Sequence, residues 1–95
     1  MPKSYYVARV DISDPVAYGE YTKALMPFLA SRGCKVLAAG GRTEVLEGAG
    51  RARNLIIEAP DFDAAKSAFL SSEYAAIKAL RVGAATVDLI LIEGM

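Results

Sequence analysis

The sequence predicts an α+β fold in which a four-stranded antiparallel sheet carries its helices on one face. The element order is the first ground for this: strand, helix, strand, strand, helix, strand, read from two-residue alternation giving way to apolar spacings of three and four. The second is the unbroken apolar run Leu55-Ile56-Ile57, matched near the C-terminus by residues 89–92, where a strand wet on one side would alternate. The third is length. Ninety-five residues supply helices enough for one face of the sheet, so those runs call for a second cover, most simply another copy of the chain.

Each element has its own signal. The first strand, residues 5–12, sorts Tyr6, Ala8, Val10 and Ile12 onto one face, expected under the helices. Tyr5, Val7, Arg9 and Asp11 fall on the other, toward a partner, with Arg9 and Asp11 close enough to ion-pair. Asp14 suits a helix N-cap and Pro15 the first helical position. Tyr18, Tyr21, Leu25 and Phe28 then form the buried stripe. Pro27 removes one backbone hydrogen bond and predicts a kink, and Gly33 supplies a left-handed stop before Cys34. The second strand starts at Lys35 and is expected to pass through Gly40-Gly41, as a bulge or a close backbone approach. A hairpin turn at Glu47-Gly48-Ala49-Gly50 leads to the third strand, residues 53–59. Pro60-Asp61 caps a helix over 62–70 whose buried face is read as Phe62, Ala65 and Phe69. Ser71-Ser72-Glu73 opens a short helix reaching about Val82, stopped by Gly83. The last strand, 86–93, is interrupted by Asp88. Strands one and three are expected at the centre, two and four at the edges, in one domain spanning residues 1–95.

Composition narrows the function classes. Apolar residues make up 54% and the mean hydropathy is +0.28, rich for a chain that works alone. Eleven basic and eleven acidic residues cancel, so no net field recruits nucleic acid or an anionic membrane, and Arg42, Arg51 and Arg53 read as a solvated rim. No run approaches the ~20 apolar residues of a membrane helix, and the N-terminus lacks a signal-peptide pattern. With a single cysteine, these features give a cytoplasmic expectation. There is no histidine and no tryptophan, which removes His-based acid–base chemistry, Ser-His and Cys-His nucleophiles and ordinary zinc sites. No dinucleotide or P-loop signature is present, and the expectation is a chain without metal or cofactor.

Taken together, Tyr21, Pro27, Gly33, Gly40-Gly41, Leu46-Glu47-Gly48, Arg53, Glu58 with Pro60, Ser72-Glu73-Tyr74, Arg81 and Glu93-Gly94 form a specific pattern running nearly end to end. By this pattern the chain resembles the domain-of-unknown-function family numbered thirteen-thirty, in the dimeric α/β-barrel, ferredoxin-like superfamily. Ala59 stands where the family tends to carry an aromatic, and Phe69 where it often has tyrosine or tryptophan. The resemblance implies a ferredoxin-like βαββαβ fold and a homodimer with a cleft between sheet and helices in each subunit. It implies no particular reaction.

The candidate catalytic residues are Tyr21, Tyr74 and Arg81; the candidate ligand-binding residues are Gly41, Ser72 and Arg53. Phenol, guanidinium and helix-start amides around an apolar pocket suit a small carboxylate or enolate, with Arg81 as counter-charge and a tyrosine as proton donor or orienter. Against this, a tyrosine on an apolar stripe is by default a core residue, and Arg81 can complement a helix dipole or pair with Glu73 or an interface carboxylate. Glu58 and Asp88 are either carboxylates of raised pKa or residues that reach the sheet edge or pair with Arg9 or Arg53. The function read from these residues is a cofactor-independent enzyme acting on a small organic acid or aromatic compound. The alternatives are a non-catalytic, small-metabolite-binding or stress-related module, and a purely structural assembly.

Overall fold

Alternation along the first strand sets the whole sheet. The computed structural model describes residues 2–95. In it β1 (Ser4–Ile12) buries Ser4, Tyr6, Ala8 and Val10 and leaves Tyr5, Val7 and Arg9 half-buried. β1 pairs antiparallel with both β3 (Arg53–Ala59) and β4 (Ala85–Glu93), and β2 (Lys35–Ala39) lies outside β3, giving the order β2-β3-β1-β4. The register fixes the two faces. Toward the helices stand Tyr6 with Ile57 and Leu91, Ala8 with Leu55 and Leu89, and Val10 with Arg53 and Val87. On the open face Val7 is flanked by Ile56 and Ile90, and Tyr5 by Glu58 and Ile92. The apolar runs are therefore shared between a buried face and a bare one, where Ile56, Ile90 and Ile92 are 40%, 58% and 53% exposed.

The first helix, α1 (Pro15–Ser31), starts where Asp14 accepts hydrogen bonds from the amides of Val16 and Ala17, both at 3.2 Å. It buries Tyr18, Tyr21, Leu25, Phe28 and Leu29 and continues past Pro27 to Ser31 as one helix. Gly33, at φ +71°, then turns the chain so tightly that a Cβ would stand 3.3 Å from the Pro60 ring. α2 (Phe62–Phe69) and α3 (Ser72–Ala79) complete the cover. The α2 contact differs from expectation: Ala65 and Ala68 are buried, while Phe62 and Phe69 are only half-buried. The small side chains let the helix backbone approach the sheet, and the Tyr6 hydroxyl donates to the Ala65 carbonyl oxygen.

The hairpin also departs from the sequence reading. β2 ends at Ala39, residues 40–52 form an irregular loop, and the bulge falls between Val36 and Ala38 instead of at the glycine pair. The cause is a side chain. Gly40, at φ +67°, lies under the Arg53 guanidinium, where a Cβ would fall 2.1 Å from Nη1. The far end of the loop is clamped to the open face by Arg51, which reaches Asp11 Oδ2 at 2.8 Å and Asp88 Oδ2 at 2.7 Å. The Ala52 amide donates to Asp11 Oδ1 (2.9 Å) and Arg9 donates to the Ala49 carbonyl (2.8 Å), so Arg9 and Asp11 do not pair with each other. Ile12 lies beyond the helix cover and is 38% exposed. Glu58 pairs with Lys3 (2.9 Å), not with Arg9 or Arg53.

Candidate functional site

Three chain segments converge between the sheet and the helices. Tyr21 stands on the buried stripe of α1, its ring 5.4 Å from that of Tyr18. Tyr74 is placed by the cap of α3: Ser71 Oγ accepts from the Tyr74 amide at 3.1 Å, fixing the first turn. Its ring packs between Phe28 and Phe69, with centroids at 5.8 and 5.0 Å. Arg81 is carried not by the helix, which ends at Ala79, but by the following turn, closed by the Ala84 amide on the Arg81 carbonyl (2.9 Å). The Tyr21 and Tyr74 hydroxyls meet at 2.8 Å, and the Arg81 guanidinium carbon lies 5.3 Å from the Tyr21 ring centroid.

The electrostatics of this cluster are unusual for a core. Arg81 is only 9% exposed, and its Nε is shielded from solvent with no hydrogen-bond partner. Among the described residues no carboxylate pairs with it; Glu73, the expected partner, instead meets Arg32 at 3.1 Å. Burial works against the Arg81 charge, but the oxygens of Tyr74 and Tyr21 more than offset this and hold it protonated. The guanidinium stands near both phenols without a well-aligned hydrogen bond to either. Burial pushes the Tyr21 phenol well above its ordinary value, helped by the Tyr74 hydroxyl and opposed by Arg81, so Tyr21 stays neutral at physiological pH. A guanidinium has donors only, and two phenols bonded to each other leave one O–H without an acceptor. The cluster is rich in donors and poor in acceptors. Chemically, such a cluster can take up an acceptor, an anion most readily.

A cavity of about 60 Å³ adjoins these groups, walled by Tyr6, Leu25, Phe28, Leu55, Phe69 and Leu89 among others. The other three candidates lie elsewhere. Gly41 sits on the exposed loop with open space around it. Ser72 is exposed in the first turn of α3, one residue past the capping Ser71. Arg53 stands on the helix side of β3 beside Val10, but its guanidinium is drawn aside onto Gly40. Glu58 and Asp88 face the open side of the sheet. Phe69 and Tyr6 are cavity walls that residue-type reasoning passed over, because an aromatic in an apolar pattern carries no mark of lining a void. Burial pushes the Cys34 thiol up, against Arg32, which leaves it unreactive. Among the described residues no group of three or more His, Cys, Asp or Glu is placed to hold a metal, and no helix is long and apolar enough to cross a membrane.

Split βαβ halves, a four-stranded antiparallel sheet and helices on one face define a ferredoxin-like α+β protein. Within that class the chain belongs to the family described as "Domain of unknown function (DUF1330)", whose profile matches residues 3–95. No curated protein matches the sequence. Among solved structures it is similar to a protein of unknown function from Rhodopseudomonas palustris, with TM-score 0.76 and 20% identity over 99% of this chain and 83% of that one. It is also similar to a dimeric ferredoxin-like protein of unknown function from Bacteroides fragilis (TM-score 0.64, 12% identity, 97% and 96% covered). A third similar structure is SnoaB, a cofactor-independent oxygenase from Streptomyces nogalater (TM-score 0.65, 14% identity, 100% and 95% covered). At these identities the likeness is one of fold.

Proposed function

We propose that the cleft binds a small organic anion, a carboxylate or the enolate or phenolate of a small aromatic compound, and acts on it as a cofactor-independent enzyme. The observation that carries this is Arg81: a cation nine-tenths buried, with an unpartnered Nε and no carboxylate beside it, at the wall of an apolar cavity. The phenol oxygens keep the guanidinium charged, its Nε–H remains without an acceptor, and an anionic ligand supplies one. Arg81 is the counter-charge; Tyr21 and Tyr74 are neutral donors that hold the ligand oxygen and stabilise charge developing on it. The fold shared with a cofactor-independent oxygenase supports this reading by analogy. One observation favours non-catalytic metabolite binding as the second reading: among the described residues, none that walls the cavity is a carboxylate able to serve as a general base.

The chain is further proposed to work as a homodimer joined through the open sheet face. The row Ile56, Val7 and Ile90 supports this, since such a face left wet is a liability and an isologous contact covers it. A thermal-shift screen of small carboxylates tests the site. A ligand at a hundred times its Kd stabilises the fold by about 2.7 kcal/mol, and Arg81→Ala abolishes the shift if Arg81 holds the anion. Tyr21→Phe and Tyr74→Phe then separate the readings. In an enzyme turnover falls by much more than affinity; in a binding module there is no turnover to lose.

A further inference from the structure

The cavity at Arg81 is too small for the ligand class just proposed. Its volume is about 60 Å³, whereas a dry cavity that admits benzene is roughly 150 Å³ and organic ligands generally occupy upward of about 300 Å³. A carboxylate head fits; a ring or chain does not. A second space of about 200 Å³ lies between α2 and the edge strand β4, lined by Lys66, Leu70, Ile90 and Leu91 together with Tyr6, Phe69 and Leu89. Those last three residues also wall the inner cavity, so the two spaces adjoin at side chains they share.

The three are not held alike. Tyr6 is held by its hydrogen bond to the Ala65 carbonyl, and Leu89 sits in the middle of β4 opposite Ala8. Phe69 is the last residue of α2, half-buried, and held by stacking on Tyr74 and by Lys78 Nζ at 5.5 Å from its ring. We infer that Phe69 is the specificity-determining residue of the cleft: its ring swings aside to join the two spaces. The ligand is then an organic monoacid with an apolar tail, its carboxylate at Arg81 and its tail in the groove between α2 and β4. This rests on the role proposed for Arg81. The groove wall supports an apolar tail, being made of Leu70, Leu89, Ile90 and Leu91, and Lys66 and Lys78 at this side of the molecule favour approach of an anion.

NMR titration of the whole chain with acetate and with 4-phenylbutyrate tests the inference, following the Arg81 Nε–H and the Leu70 and Leu91 amides. Acetate should shift Arg81 alone; 4-phenylbutyrate should shift all three and bind at least tenfold more tightly. Phe69→Trp, which fills the gap, should cut that preference below threefold. Leu70→Trp, at a position 69% exposed where folding is not at stake, should do the same. A preference unchanged in both variants, or 4-phenylbutyrate shifting Arg81 but neither leucine, overturns the role of Phe69 while leaving that of Arg81 intact. Failure of both acids to shift Arg81 overturns the anion site itself, and the inference with it.

Discussion

Replacing Arg81 by methionine separates a residue kept for binding from one kept for folding. Methionine fills a similar volume, carries no charge and adapts to irregular gaps. The loss is the contact with the Tyr21 ring, about 1 kcal/mol for a guanidinium over an aromatic face. The gain is relief of a buried, unpartnered Nε, about 1–3 kcal/mol; the burial cost of the charge itself is already met by the oxygens of Tyr74 and Tyr21 and adds nothing. The backbone bonds that hold the turn, Arg81 amide to Lys78 carbonyl and Ala84 amide to Arg81 carbonyl, are untouched. The balance falls between no change and a gain of about 2 kcal/mol. For a domain of this size 1 kcal/mol moves Tm by about 4–8 °C, so the unliganded variant should melt at the parent temperature or up to about 15 °C above it. Urea unfolding monitored by circular dichroism supplies the free energy, and the carboxylate-induced shift should vanish in the same variant. A destabilisation beyond about 2 kcal/mol would refute the reasoning, because Arg81 would then be a structural residue whose partners had been misjudged.

Val7→Glu places a charge at the centre of the row formed with Ile56 and Ile90; sedimentation should then return the 10.1 kDa monomer in place of a species of twice that mass. Ser71→Ala removes the acceptor for the Tyr74 amide and should cost about 1 kcal/mol in chemical unfolding, with weaker anion binding because Tyr74 is no longer fixed. The Asp11 carboxylate is held below its ordinary pKa by the Ala52 amide and by Arg51. A depressed carboxylate contributes stability above its unfolded pKa, near 4, and loses it as pH falls through the lower folded value. Hydrogen exchange should therefore show the Ala52 amide losing protection below about pH 4, while Tyr6 and Ala8, inside the sheet, keep theirs.

The strands and α1 were legible because their burial follows a period. Tyr6, Ala8 and Val10 alternate with half-buried neighbours, and Tyr18, Tyr21, Leu25 and Phe28 keep helical spacing, so one-dimensional pattern reports three-dimensional face. The end of β2 was not legible. It depends on Arg53 folding back over Gly40, a contact between positions thirteen residues apart with no periodic trace. The α2 face misled for a related reason. Two alanines set how closely that helix approaches the sheet, and its larger aromatics are pushed to the margins. Within the site, Tyr21, Tyr74 and Arg81 could be proposed from residue type, but their meeting depends on the turn after Ala79. The helix expected to reach about Val82 would have carried both residues, but it stops at Ala79 and Arg81 is placed by backbone bonds of the turn.

The two margins of the sheet are not alike. β2 has five residues, carries an irregularity between Val36 and Ala38, and has Lys35 at its start, so it is a poor template for a further strand. Ribbon-like growth by lateral addition is blocked on that flank. A ribbon needs two receptive flanks, so with this one disfavoured, side-by-side growth through the longer β4 edge stops after a single pairing.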